Sequence, residues 1–352
     1  QKDIVRWACH KGRCAVFADT GLGKTYISME WARLMGQRTL FVAPLSVARQ
    51  TVRMSSDIDV DLRYARNQAQ VTDDCRLWIT NYEMLEHFDA SQFGAVVLDE
   101  SSILKAIDGK TKQMLIDMFA ETPYRLCCTA TPAPNDRTEI GNHSEFLGIT
   151  KMADMLAMFF VHANKEMVTE INGVVLRRKL GNDNGQEWRL KHHAEQPFYR
   201  WMASWAMSIR KPSDLGYSDD GFILPPLRVN PVWIDYDYVP DNQLVFTELG
   251  GLSGARAVRR ETLQQRCETA AAIVNASNEQ WIVWTGLNDE SALMAELIPD
   301  AIEVVGADSP EVKATSIEAF QDGKHRVLVS KPSIAGFGMN FQNAHNQIFV
   351  GL

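Results

Sequence analysis

The sequence predicts an α/β fold with two parallel-sheet units, and three features predict it. Apolar runs of four or five residues alternate with helical patterns over residues 1–150, and the same rhythm returns over 265–352. Each run is apolar along its whole length, as in strands covered on both faces. Between the units the pattern breaks: residues 151–230 read as an accessory insertion with a hairpin and a helix, and 231–264 as a linker.

In the first unit the strands fall at 14–18, 39–43, 77–80, 95–98 and 125–129. A helix over 24–35 stops at Gly36, a residue suited to a left-handed C-cap. A second helix over 111–120 sets Met114, Leu115, Met118 and Phe119 on one face. Such a βαβα succession gives a parallel sheet with helices on both sides. In the second unit strands are expected at 281–285, 302–305, 327–330 and 347–350, and helices at 288–298 and 309–320. The last helix opens with Ser309 as N-cap, Pro310 at its first position and Glu311 behind it. The second sheet looks unfinished and the chain opens at Gln1 without an initiator Met, so a fragment of a longer protein is expected.

The insertion carries Asn172-Gly173 between two β-prone runs and a second turn-rich stretch from Gly181 to Gly185. Arg177, Arg178, Lys179, Arg189, Lys191, His192 and His193 surround it, followed by Phe198, Tyr199, Trp201 and Trp205. Two readings stand. The cations and aromatics could form a duplex-gripping or strand-separating protrusion, since aromatic faces stack on bases. Alternatively, Trp201 and Trp205, four residues apart on a helix, pack into a small core, which the spacing favours. Pro225, Pro226, Pro231 and Pro240 mark an extended connector. Arg256, Arg259, Arg260 and Arg266 read as a solvated helix face, and Trp281 and Trp284 as core.

Composition narrows the function classes. The 352 residues suffice for two α/β domains. No apolar run reaches the roughly 18 residues of a membrane span, and the first residues resemble neither a signal nor a transit peptide. A formal net charge of −8 argues against a protein that coats nucleic acid by bulk attraction, but allows a groove lined locally with cations. The cysteines at 9, 14, 75, 127, 128 and 267 form no CxxC pair, and His192-His193 lacks a matching ligand pair, so no zinc site is expected. The thiols read as reduced and mostly buried.

Ala18-Asp19-Thr20-Gly21-Leu22-Gly23-Lys24-Thr25 links a strand to a helix. A chain that wraps a triphosphate must turn tightly and aim its N–H groups inward, which Gly21 and Gly23 permit. The helix N-terminus adds a favourable dipole, Lys24 can reach the β and γ phosphates, and the Thr25 hydroxyl can ligate Mg²⁺. Position 18 is Ala where the strict pattern has Gly. Farther on, the apolar run 95–98 delivers Asp99 and Glu100. Asp99 can hold Mg²⁺ through water, and Glu100 can take a proton from the attacking water.

These and further segments together resemble, in order, the motifs of superfamily-two helicases, DEAD/DEAH type, Swi/Snf-like branch. Residues 18–25 resemble motif I, in which Ala often stands first. Gln1, six residues before Trp7, resembles the glutamine motif that reads adenine. Val42-Ala43-Pro44-Leu45-Ser46 resembles motif Ia, Ile79-Thr80-Asn81-Tyr82-Glu83 motif Ib, and Asp99-Glu100-Ser101-Ser102 the DEAD/DEAH box. Cys128-Thr129-Ala130-Thr131-Pro132 resembles motif III and Val283-Trp284-Thr285 motif IV. The run from Ala335 through Gly336 and Gly338 to Gln342 resembles the Swi/Snf form of motif V. Ile209-Arg210-Lys211-Pro212, leading to Leu224-Pro225-Pro226, resembles the Swi/Snf join between lobes. More narrowly, the chain is similar to the compact Swi/Snf-like helicases carried by phages and prophages.

The resemblance implies two RecA-like lobes and an ATP-dependent translocase or helicase acting on nucleic acid, most readily double-stranded DNA. ATP and Mg²⁺ would lie among Gln1, Thr20 to Thr25, Asp99 and Glu100, with Gly336 and Gly338 contributing from the second lobe. Ser101, Ser102, Thr129 and Thr131 would couple hydrolysis to movement. Pro44, Ser46, Thr80, Asn81, Ser330 and Lys331 would hold nucleic-acid phosphates, contacts that ignore base identity. The family's arginine finger belongs shortly after the segment 347–351, and the sequence given ends at Leu352. A cytoplasmic or nucleoid location is implied. Other readings are a nucleotide-gated DNA-binding or recruitment subunit with little turnover, the motor of a restriction or defence complex, and an RNA substrate.

Overall fold

The computed structural model describes residues 1–105, 109–164, 166–171, 174–179, 186–234, 258–336 and 338–351; within 163–187 the description is of the backbone. The chain divides into two compact units, Gln1–Pro44 with Ala48–Leu224, and Leu45–Val47 with Pro225–Leu352.

In the first unit, among the described residues, helices α1 (Lys2–Lys11), α2 (Lys24–Met35), α3 (Leu45–Ser55, whose first three residues are grouped with the second unit), α4 (Lys110–Met118), α5 (Ile140–Phe146), α6 (Met152–Phe159) and α7 (Glu195–Trp205) accompany eleven strands. These are β1 (Arg13–Ala18), β2 (Thr39–Ala43), β3 (Leu62–Tyr64), β4 (Leu77–Asn81), β5 (Ala95–Asp99), β6 (Tyr124–Cys128), β7 (Phe160–Asn164), β8 (Glu166–Ile171), β9 (Val174–Lys179), β10 (Gln186–Leu190) and β11 (Ala206–Ile209). Seven form one sheet in the order β11-β1-β6-β5-β2-β4-β3, with every neighbouring pair parallel. All five residues of β2, β4 and β5 are buried, as their unbroken apolarity predicts. β7 and β10 form an antiparallel pair, as do β8 and β9. The expected turns at Asn172-Gly173 and 181–185 lie outside the described residues.

The first unit runs past the boundary expected at residue 150. β11 lies against β1, pairing Ala15–Ala18 with Ala206–Ile209. Phe159, Phe198 and Trp205 enter the same core as the sheet. Trp205 meets Phe17 of β1 edge-on at 6.2 Å, and Trp201 lies 5.3 Å from Trp205. Trp201 donates through Nε1 to the Thr150 hydroxyl at 3.2 Å. So the aromatic face of α7 is core rather than a base-stacking platform. A four-residue strand without alternation left β11 unread in the sequence.

The second unit holds α8 (Leu263–Asn275), α9 (Asn288–Leu297), α10 (Pro310–Gln321) and α11 (Pro332–Ala335). Its strands are β12 (Trp281–Trp284), β13 (Ala301–Val304), β14 (Val327–Ser330) and β15 (Asn346–Phe349), parallel in the order β13-β14-β12-β15. At the α10 start the Ser309 side chain accepts from Val312 N at 3.3 Å, and Pro310 follows it.

One expectation fails here. Arg266, read as part of a solvated helix face, is an internal cation. It bridges Glu290 at 2.7 Å, with side-chain exposures of 14% and 0%. It also donates to Val350 O and Arg259 O. The Glu290 carboxylate further accepts from Gly286 N and Leu287 N. A carboxylate buried at the start of α9 requires that cation. Arg259 is half-buried, Arg260 is exposed, and Arg256 lies outside the described residues.

Candidate nucleotide site

The first sheet ends its strands β1, β6 and β5 side by side, and the turns after all three meet at its carboxyl edge. The turn after β1 is the glycine loop. Gly21 and Gly23 take φ +80° and +79°, the left-handed region in which a side chain is strained. A Cβ on Gly21 would meet nothing within 4 Å, so backbone geometry demands that glycine. A Cβ on Gly23 would lie 2.3 Å from Gln1 Nε2. The Gln1 amide donates to Leu22 O at 3.2 Å, pinning the chain start to the loop. On the other flank, Asp19 N donates to Ile209 O at 2.9 Å, so β11 braces the loop where it leaves β1. Thr20 is held by Asp19 Oδ1, which accepts from Thr20 N at 2.7 Å.

Lys24 and Thr25 open α2. The Lys24 ammonium donates to Ala18 O at 3.0 Å and Asp19 O at 3.3 Å, folding across the loop it would share with a triphosphate. The turn after β5 carries the acids. Asp99 is 4% exposed, and its Oδ1 accepts from Glu100 N at 3.1 Å. Glu100 takes φ +54°, one of two non-glycine residues with positive φ among the described residues. An L-residue there costs about 1–2 kcal/mol. Its neighbours hold it: Tyr82 donates through its hydroxyl to Asp99 O at 3.0 Å, and Ile103 N to Glu100 O at 3.3 Å.

Burial, then the Glu100 charge, push the Asp99 carboxyl up to about 7, against the Glu100 N–H bond and the Lys24 cation. Burial likewise raises Glu100, again opposed by Lys24. Two desolvated carboxylates facing one ammonium favour a further cation. That donor set, with the Thr25 hydroxyl at the head of α2, fits a magnesium ion carried by a nucleotide. Among the described residues no cluster of three His, Cys, Asp or Glu could hold a metal on its own.

The turn after β6 lies between the other two. Thr129 N donates to Val16 O at 3.3 Å, and the Thr129 hydroxyl accepts from Thr131 N at 3.1 Å. Ser101 is fully buried, with Oγ 3.1 Å from His143 Nε2; Ser102 is half-buried. Gln1, Thr20 to Thr25, Asp99 to Ser102, Thr129 and Thr131 thus belong to one unit and the turns at its carboxyl edge. Gly336 and Gly338, expected to contribute to the nucleotide, belong to the second unit. Gly338 takes φ +69°, and a Cβ on Gly336 would lie 2.3 Å from Pro332 O, so local backbone at the end of α11 requires both glycines.

Three side chains expected to grip phosphates are turned inward. Thr80 is fully buried and Asn81 is 3% exposed; Asn81 accepts from the Tyr64 hydroxyl at 2.6 Å and donates to Glu83 Oε2 at 2.5 Å. Ser330 is fully buried and donates to Val304 O at 2.9 Å. All three stand on sheet strands; Asn81 and Ser330 are bonded within, while the Thr80 hydroxyl has no hydrogen-bond partner among the described residues. Pro44, Ser46 and Lys331 are half-buried, and Lys331 donates to Asn288 Oδ1 at 2.6 Å. Tyr82 and His143 escaped the sequence reading as site residues. Tyr82 lay inside a quoted motif without a role, and nothing around His143 in the sequence sets it apart.

No curated protein sequence matches the chain. Among solved structures, yeast (S. cerevisiae) Dbp5, in a complex with Gle1 and IP6, aligns with TM-score 0.53 at 9% identity over 99% of this chain and 72% of that one, which shows a shared fold. The Pyrococcus furiosus Hef helicase domain aligns at 0.46 and 10% identity over 99% and 88%. The UvsW helicase of bacteriophage T4 aligns at 0.34 and 14% identity over 42% and 57%, so the match spans little more than half of that chain. The two sheets are those of RecA-like helicase lobes. The family model of the SNF2-related domain matches residues 1–180, and the chain belongs to that family.

Proposed function

We propose that this chain is the ATP-hydrolysing motor of a nucleic-acid translocase, acting on double-stranded DNA. One observation carries the reading: in an SNF2-related chain, the glycine loop with Lys24 and Thr25 and the acidic turn with Asp99 and Glu100 sit at one sheet edge, and Lys24 acts electrostatically on both acids.

In this reading Gly21 and Gly23 let the loop N–H groups face the phosphates, and Lys24 leaves Ala18 O and Asp19 O for the β and γ oxygens. Thr25 and Asp99 would hold Mg²⁺, which when bound neutralises charge on those oxygens. Glu100 orients a water and takes its proton as the water oxygen attacks the γ-phosphorus. The bond to the β–γ bridging oxygen breaks, its electron pair leaves with ADP, and phosphate is released. Burial raises the Glu100 pKa, which suits a proton acceptor. Ser101, Ser102, Thr129 and Thr131 transmit the change at the phosphate site, and hydrolysis is coupled to movement between the two units. Gln1 reads the base, and Gly336 and Gly338 serve the nucleotide from the second unit. Double-stranded DNA is the substrate implied by the Swi/Snf-like form of motif V, with phosphate contacts at Pro44, Ser46 and Lys331.

The test is ATP turnover by the full-length protein with duplex DNA, single-stranded DNA or RNA. Duplex DNA should stimulate the wild type most, and Lys24→Ala should abolish turnover with every polymer. Turnover that ignores all three polymers, or that survives Lys24→Ala, contradicts the proposal.

A further inference from the structure

The acidic turn holds a strained residue, so what holds it matters to the chemistry. On one side stands Tyr82, bonded to Asp99 O at 3.0 Å. On the other stands His143, from α5, fully buried, with Nε2 3.1 Å from the Ser101 hydroxyl. The imidazole also meets Phe17 edge-on, with ring centroids 5.2 Å apart and planes at 82°. Phe17 precedes Ala18, at which the glycine loop leaves β1. One ring therefore touches both the strand that launches the phosphate loop and the turn that launches the proton acceptor.

The helix bearing the ring is anchored. Asn142 donates to Lys105 O at 3.1 Å, fixing α5 to the far end of the turn Ser101–Lys105. Glu145 pairs with Lys112 of α4 at 2.8 Å, and the Lys112 side chain is 6% exposed. Among the described residues His143 Nδ1 has no hydrogen-bond partner of good geometry, although the Glu139 backbone one turn earlier acts on the ring, and the side-chain contact of the imidazole is the one to Ser101. A buried imidazole with one poorly bonded nitrogen is a costly way to fill space that an apolar side chain could fill.

We propose that His143 is a positioning residue for ATP hydrolysis: through Ser101 it fixes the left-handed Glu100 so that its carboxylate faces the γ-phosphate, and through Phe17 it keeps that turn in register with the phosphate loop. The inference rests on the hydrolytic reading above and adds a residue that neither the loop nor the acidic pair contains. Because His143 acts on the proton acceptor and not on the phosphate cradle, it governs the chemical step and leaves nucleotide affinity alone.

The experiment uses the full-length protein with His143→Ala, His143→Gln, Ser101→Ala and the His143→Ala/Ser101→Ala double variant. It measures kcat, affinity for a fluorescent ATP analogue with Mg²⁺, and thermal stability. His143→Ala and Ser101→Ala should each lower kcat about 10- to 100-fold, the scale of a roughly 1 Å misplacement, with analogue affinity held within about 2-fold. His143→Gln, whose amide can still bond to the Ser101 hydroxyl, should recover most of the rate. The double variant should be no slower than Ser101→Ala alone, since the two side chains act as one unit. Unchanged kcat in Ser101→Ala overturns the inference even if His143→Ala fails to fold. Parallel losses of kcat and affinity without rescue by Gln also overturn it, as does additivity in the double variant. A wild type that hydrolyses no ATP with any nucleic acid removes the underlying reading, an outcome distinct from an active wild type indifferent to these changes.

Discussion

Glu100 gives the account its sharpest stability prediction, because the residue proposed for chemistry sits in a conformation that suits glycine. With φ at +54° its backbone carries about 1–2 kcal/mol of strain relative to a glycine. Glycine returns part of that gain through unfolded-state entropy, about 0.5–1 kcal/mol. The useful comparison is Glu100→Gly against Glu100→Ala. Both remove the carboxylate, so lost desolvation and lost repulsion from Asp99 cancel between them, and the backbone difference remains. Glu100→Gly should exceed Glu100→Ala in stability by about 0.5–1 kcal/mol, or roughly 1–4 °C in Tm for a unit of this size. Both should be inactive. Thermal and urea unfolding, followed by tryptophan fluorescence and circular dichroism, read the difference. If the alanine variant equals or exceeds the glycine variant, Glu100 is not held left-handed, and strain forms no part of the site.

Other expectations follow from the same geometry. Gly23→Ala places a Cβ at φ +79° and against the Gln1 amide, and should cost about 1–2 kcal/mol together with the Gln1–Leu22 bond; the assay is binding of a fluorescent ATP analogue, expected to weaken. Glu290→Gln removes the charge paired with the buried Arg266 and should destabilise the second unit by about 3–5 kcal/mol; an unfolding curve that does not shift would show that the pair is solvated. His143 should make the first unit acid-sensitive. Burial lowers its pKa from 6.5 to about 4, so between those values the unfolded chain binds the proton and the folded one does not. Its contribution is fully present above about pH 6.5 and is lost as pH falls towards 4, a change of about 3 kcal/mol. His143→Gln should flatten that part of the stability–pH curve.

Legibility followed the density of local signals. Strands β2 and β14 and helix α2 fell on the expected residues because an unbroken apolar run or a glycine stop marks each. The glycine loop and the acidic pair were readable because phosphate chemistry fixes residue types at fixed spacing. What escaped depended on tertiary context. β11 is four residues long and is defined by its partner β1, not by its own pattern. Arg266 looked like a surface cation because its partner Glu290 is 24 residues away. Thr80 and Asn81 matched motif Ib by position and Ser330 closed an expected strand, yet their burial depends on the strands beside them. His143 meets Ser101 across 42 residues, a contact that one sequence cannot show.

The central claim is that Glu100 takes the proton of the water that splits Mg·ATP bound at Lys24. The most direct measurement is single-turnover cleavage of ATP by the full-length protein, wild type against Glu100→Gln, with bound nucleotide counted alongside. Glu100→Gln should retain bound ATP while its cleavage falls by about 100-fold or more. Cleavage by Glu100→Gln at the wild-type rate would contradict it.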